Sequence, residues 1–515
     1  MQKLLNSHPK DIQKVVLSDC QITLEEFVAV VRFDAKVELD DRYIARVNAS
    51  RSSLEQLIAD GTAIYGVNTG FGENVRFAIS EKDIEKLQVN ILRTHATSVG
   101  EPLSREKVRA MQLMILLSTG MGFSAIRIEP LLLLRDFLNY GIVPYVPGEG
   151  SVGGLTIEPH IALPLIGEGR VWDGDAVVPA CKLLDRYGLK PVILKCKEGL
   201  SLISNTTQVT AVAALALYDY LICIKTADLS GALVFEALQG NDKSLLMEVH
   251  QLKNHEEQQD TAEILRMILK NSPILDRSRE LRVQDSCALR LIPHIHGSSK
   301  RIARVAFQTI LEEIHAVSDN PIVYPNKTVF MGAGFDANYV GAQCDCMAVG
   351  AMMIAKLAET HMERLIDHKL SGLPPFLVKN PGLNSGFMLV QYVTAGLQSD
   401  ISMLSLPGQS DTVSTSAGQE NPASMAYTSA TKAYKIMDKL QSLLALTILT
   451  SLQAIDLIDC GQAPVTKKIH DYVRKSITFM ENDELLYPKI DRIIDMVKNE
   501  ELITLLEESL PDYGF

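Results

Sequence analysis

From about residue 205 the chain is dominated by long stretches in which apolar residues recur every third or fourth position. They cover 209–236, 260–270, 298–317, 338–367, 385–404 and 423–458. That spacing is the period of an α-helix with an apolar face. Helices of this length, in series and with short breaks, predict an elongated antiparallel bundle. Several are apolar around much of their circumference, which requires burial on all sides. A chain with many of them is expected to form an oligomer that buries helices between subunits. "VTAVAALALYDYLICI" (209–224) is the longest apolar run. It holds Asp219 and two tyrosines and is too short to span a bilayer, so it reads as a buried helix rather than a membrane segment.

The first 205 residues differ. Gly and Pro interrupt them often, "KDIEKLQVNILRTHA" (82–96) has helical period, and "YGIVPYVP", "VWDGDAVVPA" and "YGLKPVIL" read as short extended pieces. The expected fold is therefore mainly α. A mixed N-terminal domain (1–205) precedes an elongated helical bundle (206–515).

Composition narrows the function. Of 515 residues, 47% are hydrophobic and 22% charged, an ordinary globular balance that length alone would divide into two to four domains. The net charge is −12, and no Lys/Arg-rich run exists to bind nucleic acid. The start, "MQKLLNSHPKDIQKVV", lacks the apolar core of a secretory signal. A soluble, cytoplasmic chain is expected. Eight scattered cysteines form no disulfide framework. Cys344 and Cys346 have no second pair at zinc spacing, and H-E-x-x-H is absent, so no metal is expected. Serine-hydrolase, Walker and kinase signatures are absent too.

Four segments concentrate chemistry-bearing residues. "IYGVNTGFGENV" (64–75) sets Tyr65, Asn68 and Thr69 among three glycines and must be a loop. "NILRTHATSVGEPL" ends a helix on Thr94 and His95. "RVQDSCALRLIPHIHG" places Gln284, Asp285 and Arg290 near a helix start, where an arginine can fork a carboxylate or simply close a salt-bridged helix end. "STSAGQENPASM" carries Gln419 and Glu420 just before a helical run, as a cap or a site wall.

A fifth segment, "GEGSVGGLTIEPH" (148–160), contains G-x-G-x-x-G in Gly148, Gly150 and Gly153. A dinucleotide loop needs a strand before it and a helix after it. Pro144 and Pro147 precede, and Pro159 interrupts any helix opened at the glycines. No nucleotide is expected there.

Taken together, "YGVNTGFG", "HATSVGEPL", "EGLSLISNTTQ", "VQDSCALR", "AVSDNPIV", "LSGLPPFLVKNPGLNSGFM" and "TSAGQENPASM" resemble the aromatic amino acid lyases. This family comprises the histidine, phenylalanine and tyrosine ammonia-lyases and related aminomutases. The bacterial histidine ammonia-lyases are the nearest in motif. The resemblance implies a homotetramer with active sites assembled from three subunits and an amino-acid substrate. It also implies a prosthetic group, methylidene-imidazolone, made from an internal Ala-Ser-Gly. That electrophile captures the substrate amine, a base removes the β-proton, and ammonia leaves an α,β-unsaturated acid.

The family's loop reads Gly-Ser-Val-Gly, Ala-Ser-Gly, Asp-Leu. Here Gly153 runs directly into Gly154 and Leu155. Three residues inserted between Gly153 and Gly154 restore the register of Leu155 and His160. A cyclised tripeptide is one non-standard residue, which a one-letter string can omit; the unbroken numbering speaks against that. The other reading is a true deletion. Gly154 in place of the usual Asp, and Cys287 in place of the family's catalytic Tyr, favour it.

By resemblance the remaining site residues are Tyr65 as base, His95 facing the substrate side chain and Arg290 clamping the carboxylate. Asn205 (or Ser204) supplies an amide, and Gln284, Phe335, Gln419 and Glu420 line the pocket. Lys379 stands where histidine lyases often carry an acid. Three functions stay open: an ammonia-lyase or aminomutase for histidine or a histidine-like or tyrosine-like aromatic amino acid; an enzyme of the same fold without the electrophile and with other amino-acid chemistry; and a non-catalytic homologue. A chain that truly lacks the tripeptide is expected not to release ammonia from ordinary amino acids.

Overall fold

The computed structural model describes residues 3–511 and 513. The principal helices are α1 (Ile84–His95), α2 (Arg105–Gly120), α3 (Thr207–Ala237), α4 (Glu256–Ile268), α5 (Ile292–Ile314), α6 (Asn338–Ile366), α7 (Met388–Leu404) and α8 (Ala426–Ile455). The fold is mainly α, as the periodicity predicts. The six long stretches become α3 to α8 with ends shifted by a few residues. α3 packs against α2, α5, α6 and α8, while α7 lies on α6 and α8.

Every residue of α3 is buried, so its apolar circumference is the signature of a central core helix. Length and composition alone would let α3 or α6 cross a bilayer. The burial of α3 gives its hydrophobicity another cause. Its charges are all met internally. Arg32 grips Asp219 with two bonds of 2.6 and 2.8 Å. Lys225 meets Glu507 at 2.6 Å, and Asp228 meets Lys300 at 2.7 Å and His296 at 3.0 Å. Glu236 accepts from Ser272, Thr466 and the Ala463 N–H.

The strands are short and pair only in twos. "VWDGDAVVPA" forms an antiparallel hairpin, Arg170–Asp173 with Ala176–Pro179. "YGLKPVIL" ends a helix at Tyr187 and then runs without strand pairing, because Pro191 has no N–H to give a ladder. Pro147–Glu149, before the glycine loop, pairs antiparallel with Val99–Pro102. This ribbon ties the glycine loop to the segment that follows α1.

Candidate functional site

Three loops meet around the end of α1. The first carries Tyr65. Its course is pinned by Asn68, whose side chain accepts from the Ile64 N–H at 2.7 Å and donates to the Thr62 carbonyl at 2.8 Å. Gly66 has φ +67°, and a Cβ there would stand 2.5 Å from Leu200. Only glycine satisfies both conditions. Gln88 of α1 is fully buried; it donates to the Gly66 carbonyl and accepts from the Leu200 N–H. One side chain thus holds the Tyr65 loop to the helix that ends in His95. The Tyr65 hydroxyl accepts from the Gly72 N–H at 2.8 Å, and its ring meets Phe71 edge-on at 6.2 Å.

The second loop carries Gln419 and Glu420. Thr415 and Glu420 bridge their backbones, and Ser416 sits where a Cβ on Gly72 would fall, at 2.4 Å. Gln419 donates to Glu73 at 3.1 Å. The Glu420 carboxylate accepts from Thr415 Oγ1 at 3.3 Å and pairs with no cation among the described residues. It lies close enough to Tyr65 and His95 to act on both. Burial raises the Tyr65 phenol above its ordinary pKa, the Gly72 N–H opposes this, and Glu420 adds to the rise. Burial lowers His95, and Glu420 opposes that. Both groups are therefore held in their neutral forms.

The third loop is 148–160. Gly153 has φ +135°, and a Cβ on it would stand 2.9 Å from Ser424 Oγ; one on Gly154 would stand 3.5 Å from the Asn205 carbonyl. The two glycines lie between the Glu420 loop and the start of α3. Leu155 follows at φ +73°, and Ser416, Ala417 and Met425 of the facing loop are also left-handed. Non-glycine residues at such angles cost about 1–3 kcal/mol each and gather where a site over-determines the backbone.

This loop does not fit the prosthetic group. Cyclisation needs a Ser-Gly pair, so that serine can lose water while the glycine nitrogen attacks the preceding carbonyl. Ser151 is followed by Val152, and the Gly153 N–H is engaged by Ser151 Oγ at 3.1 Å. Ser-Gly occurs elsewhere at Ser230-Gly231, inside α3, at Ser371-Gly372, which closes a short helix, and at Ser385-Gly386, whose N–H groups both donate to Asp483. None belongs to the loop.

Asn205 Oδ1 accepts from the Thr207 N–H at 3.1 Å, while its buried Nδ2 has no partner. Of the two candidates at that position, the Asn205 carbonyl is the one beside Gly154. Glu158 is a residue the motif reading passed over. It is fully buried at the start of α3, where it accepts from the Gln208 N–H, Gln208 Nε2 and Thr207 Oγ1. Burial pushes its pKa up to about 8. The available signal was one acid inside the otherwise uncharged "GLTIEPHIALPLIG".

Gln284, Cys287, Arg290 and Phe335 stand apart from this cluster. No hydrogen bond, ion pair or ring contact joins them to it among the described residues. Arg290 Nε donates to the Asp285 carbonyl at 2.9 Å, and its Nη2 lies 3.5 Å from Cys287 Sγ. Cys287, Gln284 and Phe335 are exposed. Lys379 pairs at the surface with Glu481 at 2.7 Å. Among the described residues no group of three or more His, Cys, Asp or Glu could hold a metal.

The family model for aromatic amino acid lyases matches residues 22–475. The chain is 36% identical over 505 residues to histidine ammonia-lyase 2 of Fusobacterium nucleatum, covering 96% of this chain and 99% of that one. It superposes on the histidine ammonia-lyase of Trypanosoma cruzi with TM-score 0.90 and 31% identity, over 97% of this chain and 96% of that one. It superposes on the ergothioneine-degrading ergothionase of Treponema denticola with TM-score 0.88 and 26% identity, over 95% and 99%. With a fold, a loop constellation and a family match that run nearly end to end, this chain belongs to the aromatic amino acid lyases, a family of carbon–nitrogen lyases.

Proposed function

We propose that the chain eliminates the α-amine of histidine or a histidine-like aromatic amino acid, giving an α,β-unsaturated acid. The observation that carries this reading is the meeting of Tyr65, His95 and Glu420, the last on a loop whose Ser424 stands against Gly153. Tyr65 is the base for the β-proton. His95 faces the substrate ring, and Glu420 sets the charge around both. Asn205 and Gln419 complete the near wall.

Arg290, Gln284, Cys287 and Phe335 complete the pocket from neighbouring copies in a homotetramer. Support comes from the exposure of Gln284, Cys287 and Phe335 and from the guanidinium of Arg290, which among the described residues hydrogen-bonds only a carbonyl and a thiol. The substrate carboxylate is its missing partner, through a charge-assisted fork. The named activities of the relatives, on histidine and on ergothioneine, support an imidazole-bearing substrate. A second reading, elimination without the family's electrophile, is favoured by the loop that cannot form it.

The test is turnover of Tyr65→Phe against the parent chain, followed by ultraviolet absorbance of the conjugated acid. General-base catalysis contributes about 10²–10⁴-fold. A loss in that range is expected. Turnover within a few-fold of the parent removes Tyr65 from the chemistry.

A further inference from the structure

We infer that the substrate brings its own activated leaving group: an α-quaternary ammonium, as in the Nα-trimethyl betaine of an imidazole or aryl amino acid. The inference rests on the elimination proposed above and specifies the amine that leaves.

The starting point is the loop. A primary α-amine poses two problems for elimination. It departs poorly once neutral. While protonated, its N–H is far more acidic than the β C–H, so a base in the pocket takes the nitrogen's proton first. The family meets both by bonding the amine to an electrophile. Here Gly153 and Gly154 supply no such group, yet Tyr65, His95 and Glu420 are still gathered, the last on the loop that sets Ser424 against Gly153. A quaternary nitrogen meets both problems unaided. It has no N–H to lose, and it stays cationic until its bond to Cα breaks.

The pocket also has the chemistry to hold such a cation. Glu420 is a carboxylate with no cationic partner among the described residues. Beside it stand the Tyr65 and Phe71 rings, 6.2 Å apart and edge to face. Aromatic faces beside an acid are the usual receptor for quaternary ammonium. The Glu420 loop also sets Ser424 against Gly153, where a Cβ would stand 2.9 Å from the serine Oγ, so the chain backbone itself occupies the place at which the family carries its electrophile.

The step balances without a co-reactant. Tyr65 first gives its phenolic proton to water, and the phenolate oxygen then takes the β-proton. The C–H pair becomes the Cα=Cβ bond. The Cα–N bond breaks, its pair goes to nitrogen, and a neutral tertiary amine departs. The proton then passes from Tyr65 to water. The cation also assists the base, because a fixed positive charge beside the phenol opposes the upward push of burial and Glu420.

The experiment offers the purified full-length chain two sets of substrates: histidine, tyrosine and phenylalanine, and the Nα-trimethyl betaine of each. Conjugated acid is read by absorbance, ammonia and trimethylamine by proton NMR. The expected result is turnover of at least one betaine, with trimethylamine and unsaturated acid in equal amounts and kcat/KM at least 10³-fold above that of its parent amino acid. In Glu420→Gln the KM for the betaine rises at least tenfold. Ammonia release from a primary amino acid at a comparable or greater rate overturns this inference and leaves the elimination reading standing. Failure to convert any of the six compounds overturns both. A betaine KM unmoved in Glu420→Gln overturns the assignment of Glu420 as the cation's partner.

Discussion

At the scale of single residues, Glu158 shows how burial turns an ordinary acid into a neutral one. Its folded pKa of about 8 lies above the ordinary 4.5, with burial as the cause. A raised acid stabilises the fold fully below its unfolded pKa, and that contribution is lost as pH rises through the folded value. Between pH 4.5 and 8 the unfolded chain therefore binds fewer protons than the folded one, and stability falls with rising pH. The full window corresponds to roughly 5 kcal/mol at 1.36 kcal/mol per pH unit. Glu158→Gln keeps the shape and can still accept from Gln208 and Thr207, but it cannot ionise. We expect this variant to gain stability over the parent as pH rises from 5 to 8, measured by urea unfolding at several pH values. Parallel curves for the two proteins would show that Glu158 is not the group responsible. Arg290 poses a separate test. Losing one partner of a desolvated charge pair costs about 2–5 kcal/mol. Arg290→Met should therefore weaken substrate binding at least 30-fold by calorimetry, and unchanged affinity would remove it from the carboxylate clamp.

Among the elements, α3 organises the rest. It has no solvent face, so its three acids and its lysine depend wholly on partners from other segments. Asp228 joins α3 to α5 through Lys300 and His296. Removing one member of such a cluster leaves charge buried without compensation, which costs about 3–5 kcal/mol. Asp228→Ala should lower unfolding free energy by that amount in urea titration. A change under 1 kcal/mol would mean that solvent or a rearranged partner replaces the carboxylate. α1 has the complementary role near the site. Gln88 fixes the Tyr65 loop and the Leu200 segment to a helix whose last residue is His95, so the proposed base and the proposed ring-facing residue share one support.

For the whole molecule, the exposed apolar residues point to assembly. Leu389, Tyr392, Val393 and Met403 of α7 are 48–69% exposed, and Tyr339 of α6 and Val305 of α5 add to them. Apolar surface of this kind on adjacent packed helices marks an interaction face. We expect light scattering at micromolar concentration to give four times the 56.7 kDa chain mass. Leu389→Glu combined with Tyr392→Glu should yield smaller species and abolish turnover together, because the pocket proposed to join Arg290 to Tyr65 across subunits would then be broken. A fully active monomer would contradict both the tetramer and the shared site.

What the sequence determined by itself was everything with a period or a fixed spacing. The mainly α fold followed from apolar recurrence, since a helix buries one face at 3.6 residues per turn whatever surrounds it. The glycine-rich Tyr65 loop followed from the cost of three glycines in a helix. The defect in the 148–160 loop followed from register, because Leu155 and His160 return to place only after three added residues. The tertiary structure alone decided what depends on distance across the chain. No spacing shows that Glu420 faces Tyr65 and His95, that Gly153 and Gly154 lie between Ser424 and Asn205, or that Gln88 ties the Tyr65 loop to α1. Glu158 was hidden for the same reason. Its altered acidity comes from the depth at which α3 begins, and depth is a property of the packed molecule rather than of any local run of residues.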